Sequence, residues 1–387
     1  MSRLWDILTG GKLTGWKRRA YQATVLLLVL AVGAFVVTTS GIVPIKASSG
    51  HWPITAWFLN YSMKQSVATH TLGMEVPPLD DESQVIKGAA YYEVGCAPCH
   101  GRPDHPHPRV AGAMTPRPPY LPPKVDQWEP QELFYIAKHG VKFTGMPAFP
   151  SQQRDDEIWA VVAFLQRLPS LDAAEYRSLV GETSPNEEPT ALHGLSPVES
   201  GSIAGIVAEN CGRCHGADGL GRGTGAFPRL AGQRAAYFTA AMQAYTAGKR
   251  NSGIMEPIAA GLTDGQLRQL ADYYAKLDAA SDDETGDRDQ DAIRRGAAIA
   301  QEGLPQKRIP ACVDCHGPAS KPINQHYPQL AGQYSRYLVL QLSLFQNQHR
   351  GGTEYAHLMQ TIARRLTSEQ IQDVAAYYES LGFDPVE

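Results

Sequence analysis

All six cysteines of this 387-residue chain occur in three C-x-x-C pairs, and a histidine follows each pair directly. The three strings are Cys96, Cys99 and His100; Cys211, Cys214 and His215; and Cys312, Cys315 and His316. Thiols at positions i and i+3 lie on one face of a helical turn, where they can bond two vinyl groups of one porphyrin. The C-x-x-C-H string is the attachment signature of a c-type haem. The sequence therefore predicts three haem c groups, each with its histidine on the iron.

Zinc binding and thiol redox chemistry are the alternative uses of such pairs. A structural zinc site needs four ligands, usually two pairs close together, whereas these pairs lie about 100 residues apart. A thioredoxin-like pair needs a βαβ pattern, and no strand pattern surrounds these motifs. Haem attachment is the interpretation that accounts for all six cysteines.

The second axial ligand of each iron decides its chemistry. Methionine opposite histidine raises the reduction potential and fills the coordination sphere, which favours electron transfer over oxygen activation. Met359 is the one methionine after Cys312, Met255 is its counterpart in an internal repeat, and Met146 lies in the string GMPAF. They follow their haem histidines by 43, 40 and 46 residues and are the predicted axial ligands.

Other methionines compete for this role. Met114 lies only 14 residues beyond His100, so Met146 is preferred in the first unit. Met242 aligns with Leu342 in the repeat, which indicates packing. A single methionine more often fills a core gap than binds a metal, but three in equivalent positions favour ligation.

Two histidines and two prolines complete the candidate residues. His139 and His357 are the competing candidates for iron ligands. We expect each to lie at the surface or to contact an iron ligand without binding the metal. Pro228 and Pro328 follow their haem histidines by 13 and 12 residues. Their carbonyls are predicted to accept the imidazole N–H and fix the ring, as happens behind many metal-bound histidines. The alternative is that both are simple turn prolines.

The helices that position these groups recur three times in one order. A helix runs into C-x-x-C-H, then come a Gly/Pro-rich stretch, a middle helix, the methionine and a last amphipathic helix. Thr263 and Thr367 are the predicted N-caps of two last helices. FPRLAGQRAAYF (227–238) is repeated as YPQLAGQYSRYL (327–338). We predict domains at 81–170, 195–278 and 290–383, with a polar linker over 169–197 and an acidic one over 278–291.

The N-terminal region predicts a membrane anchor. Residues 21–38 contain no charged residue and are long enough to span a bilayer. Residues 1–20 carry a net charge of +4, which places them in the cytoplasm and the rest outside. Residues 39–80 then form a membrane-proximal connector. The alternative is a cleaved signal peptide, whose apolar core is normally only about 7–15 residues.

Charge narrows the function classes. The formal net charge of −4 shows no basic excess, which argues against nucleic-acid binding. Because the first 20 residues are basic, the predicted exterior part carries about −8 and is acidic. An acidic exterior suits a protein partner with a basic docking face, and binding to such a partner would be weakened by salt.

These strings resemble a known family. Residues 195–387 resemble the tandem dihaem cytochromes of the c4 type, through CGRCHGADG, FPRLAGQ and YPQLAGQ. Residues 82–168 resemble a single class I cytochrome c domain with GMPAF. The resemblance implies all-α haem domains. Together with the predicted anchor, it leads us to expect an all-α chain of one transmembrane helix followed by three small class I cytochrome c domains. It also implies His/Met iron, one-electron transfer and exposure in a bacterial periplasm. The predicted anchor would hold the chain in the bacterial inner membrane.

Three functions fit these expectations. The first is electron transfer in a respiratory chain, to or within a terminal oxidase complex. The second is the cytochrome subunit of a periplasmic dehydrogenase. The third, a haem peroxidase, needs an open sixth position on one iron, and three candidate methionine ligands argue against it. The expected partners are redox proteins and the lipid bilayer, with no nucleic acid and no catalytic side chain.

Overall fold

The structure, a computed structural model, describes residues 14–43, 45–106, 108–181, 202–278, 288–317 and 323–382. Every regular element within these ranges is a helix. The β-type pairing found in the same ranges consists of three isolated bridges. The all-α prediction is confirmed.

Two long helices precede the cysteine motifs. Helix α1, Gly15–Thr39, contains the predicted span; an 18-residue window within it has a mean hydropathy of 2.2, and no residue of the helix is buried. Its 25 residues extend over about 37 Å, enough to cross a bilayer. Helix α2, Pro53–His70, lies in the predicted connector and buries only Val67. Its end packs on the next unit, where His70 stacks on Tyr135 with ring centroids 5.3 Å apart.

The first module comprises six helices. They are α3 Glu82–Gly95, α4 Ala97–His100, α5 Arg109–Gly112, α6 Pro130–His139, α7 Asp155–Arg167 and α8 Ala173–Val180. Short 3₁₀ turns lie at Val125–Gln127 and Leu168–Ser170. Helix α3 crosses α7 so closely that a Cβ on Gly88 would overlap the carbonyl of Ala160. This crossing holds the helix that leads into Cys96.

Helix α8 lies inside the segment predicted to be a linker. Asp172 caps it in a capping box with Glu175, and its Tyr176 and Val180 are fully buried in the core of the first module. The module therefore packs at least to Gly181, whose φ of +73° ends the helix. The domain boundary at residue 170 stays a prediction, and residues 182–201 lie outside the described ranges.

The second and third modules follow the same plan. The second contains α9 Ile203–Ile206, a π-helical turn Val207–Cys211, α10 Gly212–His215, α11 Ala235–Thr246, α12 Met255–Ala260 and α13 Asp264–Lys276. The third contains α14 Gln290–Glu302, α15 Val313–His316, α16 Ser335–Gln346, α17 Ala356–Ala363 and α18 Ser368–Ser380. Short 3₁₀ turns lie at Gly221–Gly223 and Pro305–Lys307.

Equivalent contacts show that the sequence repeat is structural. The N–H of Gly232 donates to the carbonyl of Tyr274 at 2.8 Å, and that of Gly332 donates to the carbonyl of Tyr378 at 2.8 Å. The predicted N-caps, Thr263 and Thr367, are confirmed, since each forms a capping box with the glutamine three residues later. The last helix of each module is thereby fixed at its start.

Close helix packing in the third module gives a testable expectation. A Cβ on Gly296 of α14 would overlap the carbonyl of Asp373 in α18, so Gly296→Ala forces the helices apart. We expect it to cost about 1–3 kcal/mol and to lower the unfolding midpoint of this module by about 4 °C or more. Thermal unfolding followed by circular dichroism measures this.

Gly265→Ala is the matched control for that substitution. Gly265 lies in α13, and a Cβ there would have only the Thr263 hydroxyl within 4 Å, at 3.9 Å. Alanine at an open helical position should be neutral or stabilise by up to about 1 kcal/mol. Equal losses for both variants would contradict the close crossing.

Candidate haem-binding sites

Each C-x-x-C-H string forms one helical turn, which follows the first helix of its module. In the first, the N–H groups of Cys99 and His100 both donate to the carbonyl of Cys96, at 3.0 and 2.8 Å. In the third, the His316 N–H donates to the Cys312 carbonyl at 2.9 Å. A glycine with positive φ follows each histidine and ends the turn: Gly101, Gly216 and Gly317. Both thiols and the imidazole of each string therefore share one short turn.

The three haem histidines have the same hydrogen bond to a proline carbonyl. The Nδ1 atoms of His215 and His316 lie 3.1 and 2.9 Å from the carbonyl oxygens of Pro228 and Pro328. In the first module, Pro119 takes this place, 2.9 Å from His100 Nδ1. A carbonyl can only accept, so Nδ1 carries the proton and Nε2 keeps its lone pair for a metal.

Burial keeps two of these imidazoles neutral. Both His215 and His316 are buried, and burial lowers their pKa values, that of His316 to about 4. Arg234 and Arg350 lower the pKa of His316 further, while the Pro328 carbonyl opposes the shift. An iron ligand must be the neutral imidazole, so this environment suits ligation.

The environments of Cys96, Cys211 and Cys312 disfavour thiolates. Burial raises the pKa of Cys96 to about 12 and those of Cys211 and Cys312 to about 11. A zinc site would instead stabilise thiolates. The described residues also contain no cluster of three or more His, Cys, Asp or Glu side chains that would hold a metal ion. Apolar surroundings suit the neutral thioethers of an attached haem.

The second and third strings open onto one shared cavity of about 520 Å³. Its wall includes both cysteine pairs, His215 and His316, and the predicted ligands Met255 and Met359. Met242 also reaches this wall but is buried in the packing of the second module. The structure therefore brings together the predicted histidine and methionine ligands of these two sites.

The first site has two methionines close together. The Met114 methyl packs against Gly145, directly beside Met146, and both methionines are half-buried. The geometry alone does not separate them, so Met146 stays a prediction. His139 and His357 are both exposed, as expected for histidines that do not bind iron.

Two buried arginines face the shared cavity without an acidic partner in the described residues. Arg250 Nη2 donates to the Tyr337 hydroxyl at 2.9 Å, and Arg350 Nη2 donates to the Tyr237 hydroxyl at 2.7 Å. Burial alone would raise the pKa of Tyr237, but the two guanidinium groups outweigh it and lower that pKa. Buried cations without counter-charges are costly.

The carboxylate side chains of a bound haem would supply the missing negative charge. Two further hydrogen-bond donors in this region could also bind such a group. Among the described residues, neither Arg229 Nε nor the Tyr378 hydroxyl has a hydrogen-bond partner, although both are buried at the cavity. The residues present therefore fit a large, partly anionic porphyrin.

Reciprocal glutamine contacts join the second and third modules. Gln233 Nε2 donates to the Gln329 carbonyl at 3.1 Å, while its Oε1 accepts the Gln329 N–H at 2.9 Å. Gln333 makes the same pair of bonds with Arg229, both at 3.0 Å. These residues are equivalent in the LAGQ repeat, so the two modules meet through matching surfaces around the cavity.

Two family models and several known proteins are similar to this chain. The family "cytochrome c oxidase, cbb3-type, subunit III" matches residues 83–165 and 201–273, and the family "cytochrome c" matches residues 293–382. A thiosulfate dehydrogenase electron acceptor of Stutzerimonas stutzeri is 38 % identical over 179 residues, which cover 46 % of this chain and 82 % of that protein.

Cytochromes c4 are also similar. The cytochrome c4 of Pseudomonas aeruginosa is 32 % identical over 192 residues, covering 49 % of this chain and 93 % of that protein. The crystal structure of reduced cytochrome c4 from Pseudomonas stutzeri aligns with 47 % of this chain and 98 % of its own, at 27 % identity and a TM-score of 0.42. The chain therefore belongs to the class I c-type cytochromes, as a relative of the cytochromes c4 and of the thiosulfate dehydrogenase electron acceptors.

Proposed function

We propose that the chain is a membrane-anchored trihaem cytochrome that passes single electrons outside the cytoplasm. The residues that would ligate the three irons are His100 with Met146, His215 with Met255, and His316 with Met359. The observation that supports this most is the threefold recurrence of one arrangement, a C-x-x-C-H turn whose imidazole Nδ1 is tied to a proline carbonyl. Each haem, when bound, supplies one-electron iron chemistry.

The side chains around each haem favour electron transfer over substrate binding. Pro119, Pro228 and Pro328 hold the imidazole rings in one orientation. A methionine ligand would complete the coordination of each iron and raise its reduction potential. The buried Arg250 and Arg350 of the shared cavity would balance the anionic groups of haems bound there. A peroxidase would need an open position, which this ligand set does not leave.

We propose a periplasmic dehydrogenase as the electron donor. Two relatives, from Stutzerimonas stutzeri and Thiomonas intermedia, bear the name thiosulfate dehydrogenase electron acceptor. Helix α1 would hold the chain in the bacterial inner membrane, with its haem modules in the periplasm. The alternative for α1, a signal sequence, leaves the donor unchanged, since the haem modules would still lie outside the cytoplasm.

A second candidate is a subunit of a terminal oxidase. One observation favours it: the family that matches the first and second modules carries the description of a cbb3-type oxidase subunit. Both functions need the same haem chemistry. In the first, the partner enzyme donates electrons to the chain; in the second, the partner oxidase accepts electrons from it. They also differ in the protein that remains bound to the chain.

Reduction kinetics distinguish the two. Detergent-solubilised, fully oxidised chain is mixed with thiosulfate and a catalytic amount of thiosulfate dehydrogenase, and haem reduction is followed optically. We expect rapid reduction only when the enzyme is present, slowed by added salt if the acidic surface guides docking. Failure of thiosulfate dehydrogenase to reduce haems that dithionite reduces, with copurification of an oxidase, would favour the second candidate.

A further inference from the structure

A carboxylate of the first module is buried against the loop that leads to Met255. Glu157 lies in the first turn of α7 and is only 1 % exposed. Its Oε1 accepts a hydrogen bond from the Ser252 hydroxyl at 2.7 Å, and its Oε2 accepts one from the Gly253 N–H at 2.7 Å. Both donors belong to the second module, so the contact joins two modules.

Arg154 supports this carboxylate. Its Nη2 lies 2.9 Å from Glu157 Oε1, and its Nη1 donates to the Asn251 carbonyl at 2.7 Å. The same guanidinium also pairs with Asp156. Removing one partner of a buried carboxylate that is held by a cation and two hydrogen-bond donors is costly.

Ser252 carries the contact on to Met255. Its hydroxyl oxygen donates to Glu157 and accepts from the N–H groups of Met255 and Ile254, at 3.1 and 3.4 Å. One hydroxyl has one donor and two acceptor sites, so these bonds use its full capacity. A two-step chain of hydrogen bonds therefore links Glu157 to the backbone of the methionine.

The methionine loops of the first two sites also touch. Phe149, from the GMPAF string that carries Met146, packs directly on Gly253. Lys87, Tyr91, Arg154 and Glu157 of the first module contribute to the wall of the cavity that holds the second site. The first module is thus part of the second site's surroundings.

We propose that Glu157 is a positioning residue for the second haem, acting through Ser252 to keep Met255 on the iron. This inference rests on the proposed function, because it takes Met255 as an axial ligand. It makes the first module a determinant of the second haem's ligation. A chain with only the second and third modules would lack this control.

Displacement of methionine by imidazole tests the proposal in the full-length chain. Imidazole is titrated into the ferric protein, and the loss of the absorption band of methionine-ligated ferric haem is followed. In the Glu157→Gln and Ser252→Ala variants, we expect the imidazole affinity of one haem to increase at least about tenfold. A charge-assisted hydrogen bond is worth enough to give a tenfold change, about 1.4 kcal/mol. The double variant should be less than additive, because both changes break one chain.

Two comparisons assign the effect. Arg222→Gln is the interface control. Arg222 donates to the carbonyls of Leu179 and Ser178 across the same module boundary, at 3.0 and 2.9 Å. This variant should leave the imidazole affinity of every haem unchanged. In a Met255→His background, where no methionine remains to be displaced at the second haem, the Glu157→Gln effect should vanish.

The outcomes separate this inference from the proposed function. Unchanged imidazole affinity in both Glu157→Gln and Ser252→Ala, with three methionine-ligated haems retained, overturns the positioning role and leaves the proposed function standing. An equal change at all haems, or in Arg222→Gln, also overturns it, since that result indicates general loosening. A wild-type chain without methionine-ligated haem would overturn the proposed function itself.

Discussion

A chain with Cys312→Ala and Cys315→Ala is expected to retain two covalent haems instead of three. These two cysteines are the only attachment points in the third string, and they lie beside the buried His316. Without thioether bonds the porphyrin is held by its axial ligands and apolar contacts alone. Haem absorbance per chain under denaturing conditions measures the loss directly.

The same variant should also lose the fold of its third module. That module has only about 90 residues, and its apolar clusters lie around the cavity, so a missing haem leaves a large void in a small core. We expect fewer helical residues by circular dichroism and early proteolysis after residue 288. Met242→Leu, which places the third module's residue into the second, is the control and should keep three haems. Three covalent haems in the double cysteine variant would contradict the attachment assignment.

The Met359→His variant should show the largest change in reduction potential. A second histidine in place of thioether sulfur stabilises ferric iron and lowers the potential. Axial ligands span roughly 0.8 V across haem proteins, and we expect a substantial part of that range at one haem only. Optical redox titration of the full chain resolves that haem as a step at lower potential.

The size of this change shows whether Met359 binds the iron or only fills a gap in the core. A methionine that only fills a core gap would leave the potential almost unchanged when replaced, and such a result would contradict the assignment. For the first site, Met114→Leu and Met146→Leu distinguish the two neighbouring candidates. We expect only Met146→Leu to remove the methionine absorption band from one haem.

The sequence predicted the haem strings and the helix plan because both depend on local patterns. Cysteine spacing and the adjacent histidine are set within one helical turn. Pro228 and Pro328 follow their haem histidines by 13 and 12 residues, and this spacing made both candidates for the imidazole contact, which the structure places at hydrogen-bond distance. Thr263 and Thr367 followed from capping chemistry.

Two features were missed for different reasons. Pro119 lies in a run rich in prolines, and the first module has no repeat partner to single it out. Helix α8 was assigned to a linker, although Asp172 and Glu175 form the capping-box pattern that marks a helix start and Gly181 marks its end. That signal was present in the sequence and would have found the helix.

The contact between Glu157 and Ser252 had no signal in the sequence. A glutamate in the first turn of an amphipathic helix is ordinarily a solvated residue that favours the helix dipole. Its burial depends on how two modules meet, and residues 95 and 96 positions apart leave no periodic pattern. Contacts between modules of one chain must therefore be read from the structure.

A potentiometric titration with a covalent haem count tests the central claim most directly. The detergent-solubilised full chain is titrated while optical and magnetic spectra are recorded. The account predicts three covalent haems per chain, all low-spin, each with the spectral signature of histidine and methionine. Protein without covalently retained porphyrin, or with mostly five-coordinate iron, would contradict it.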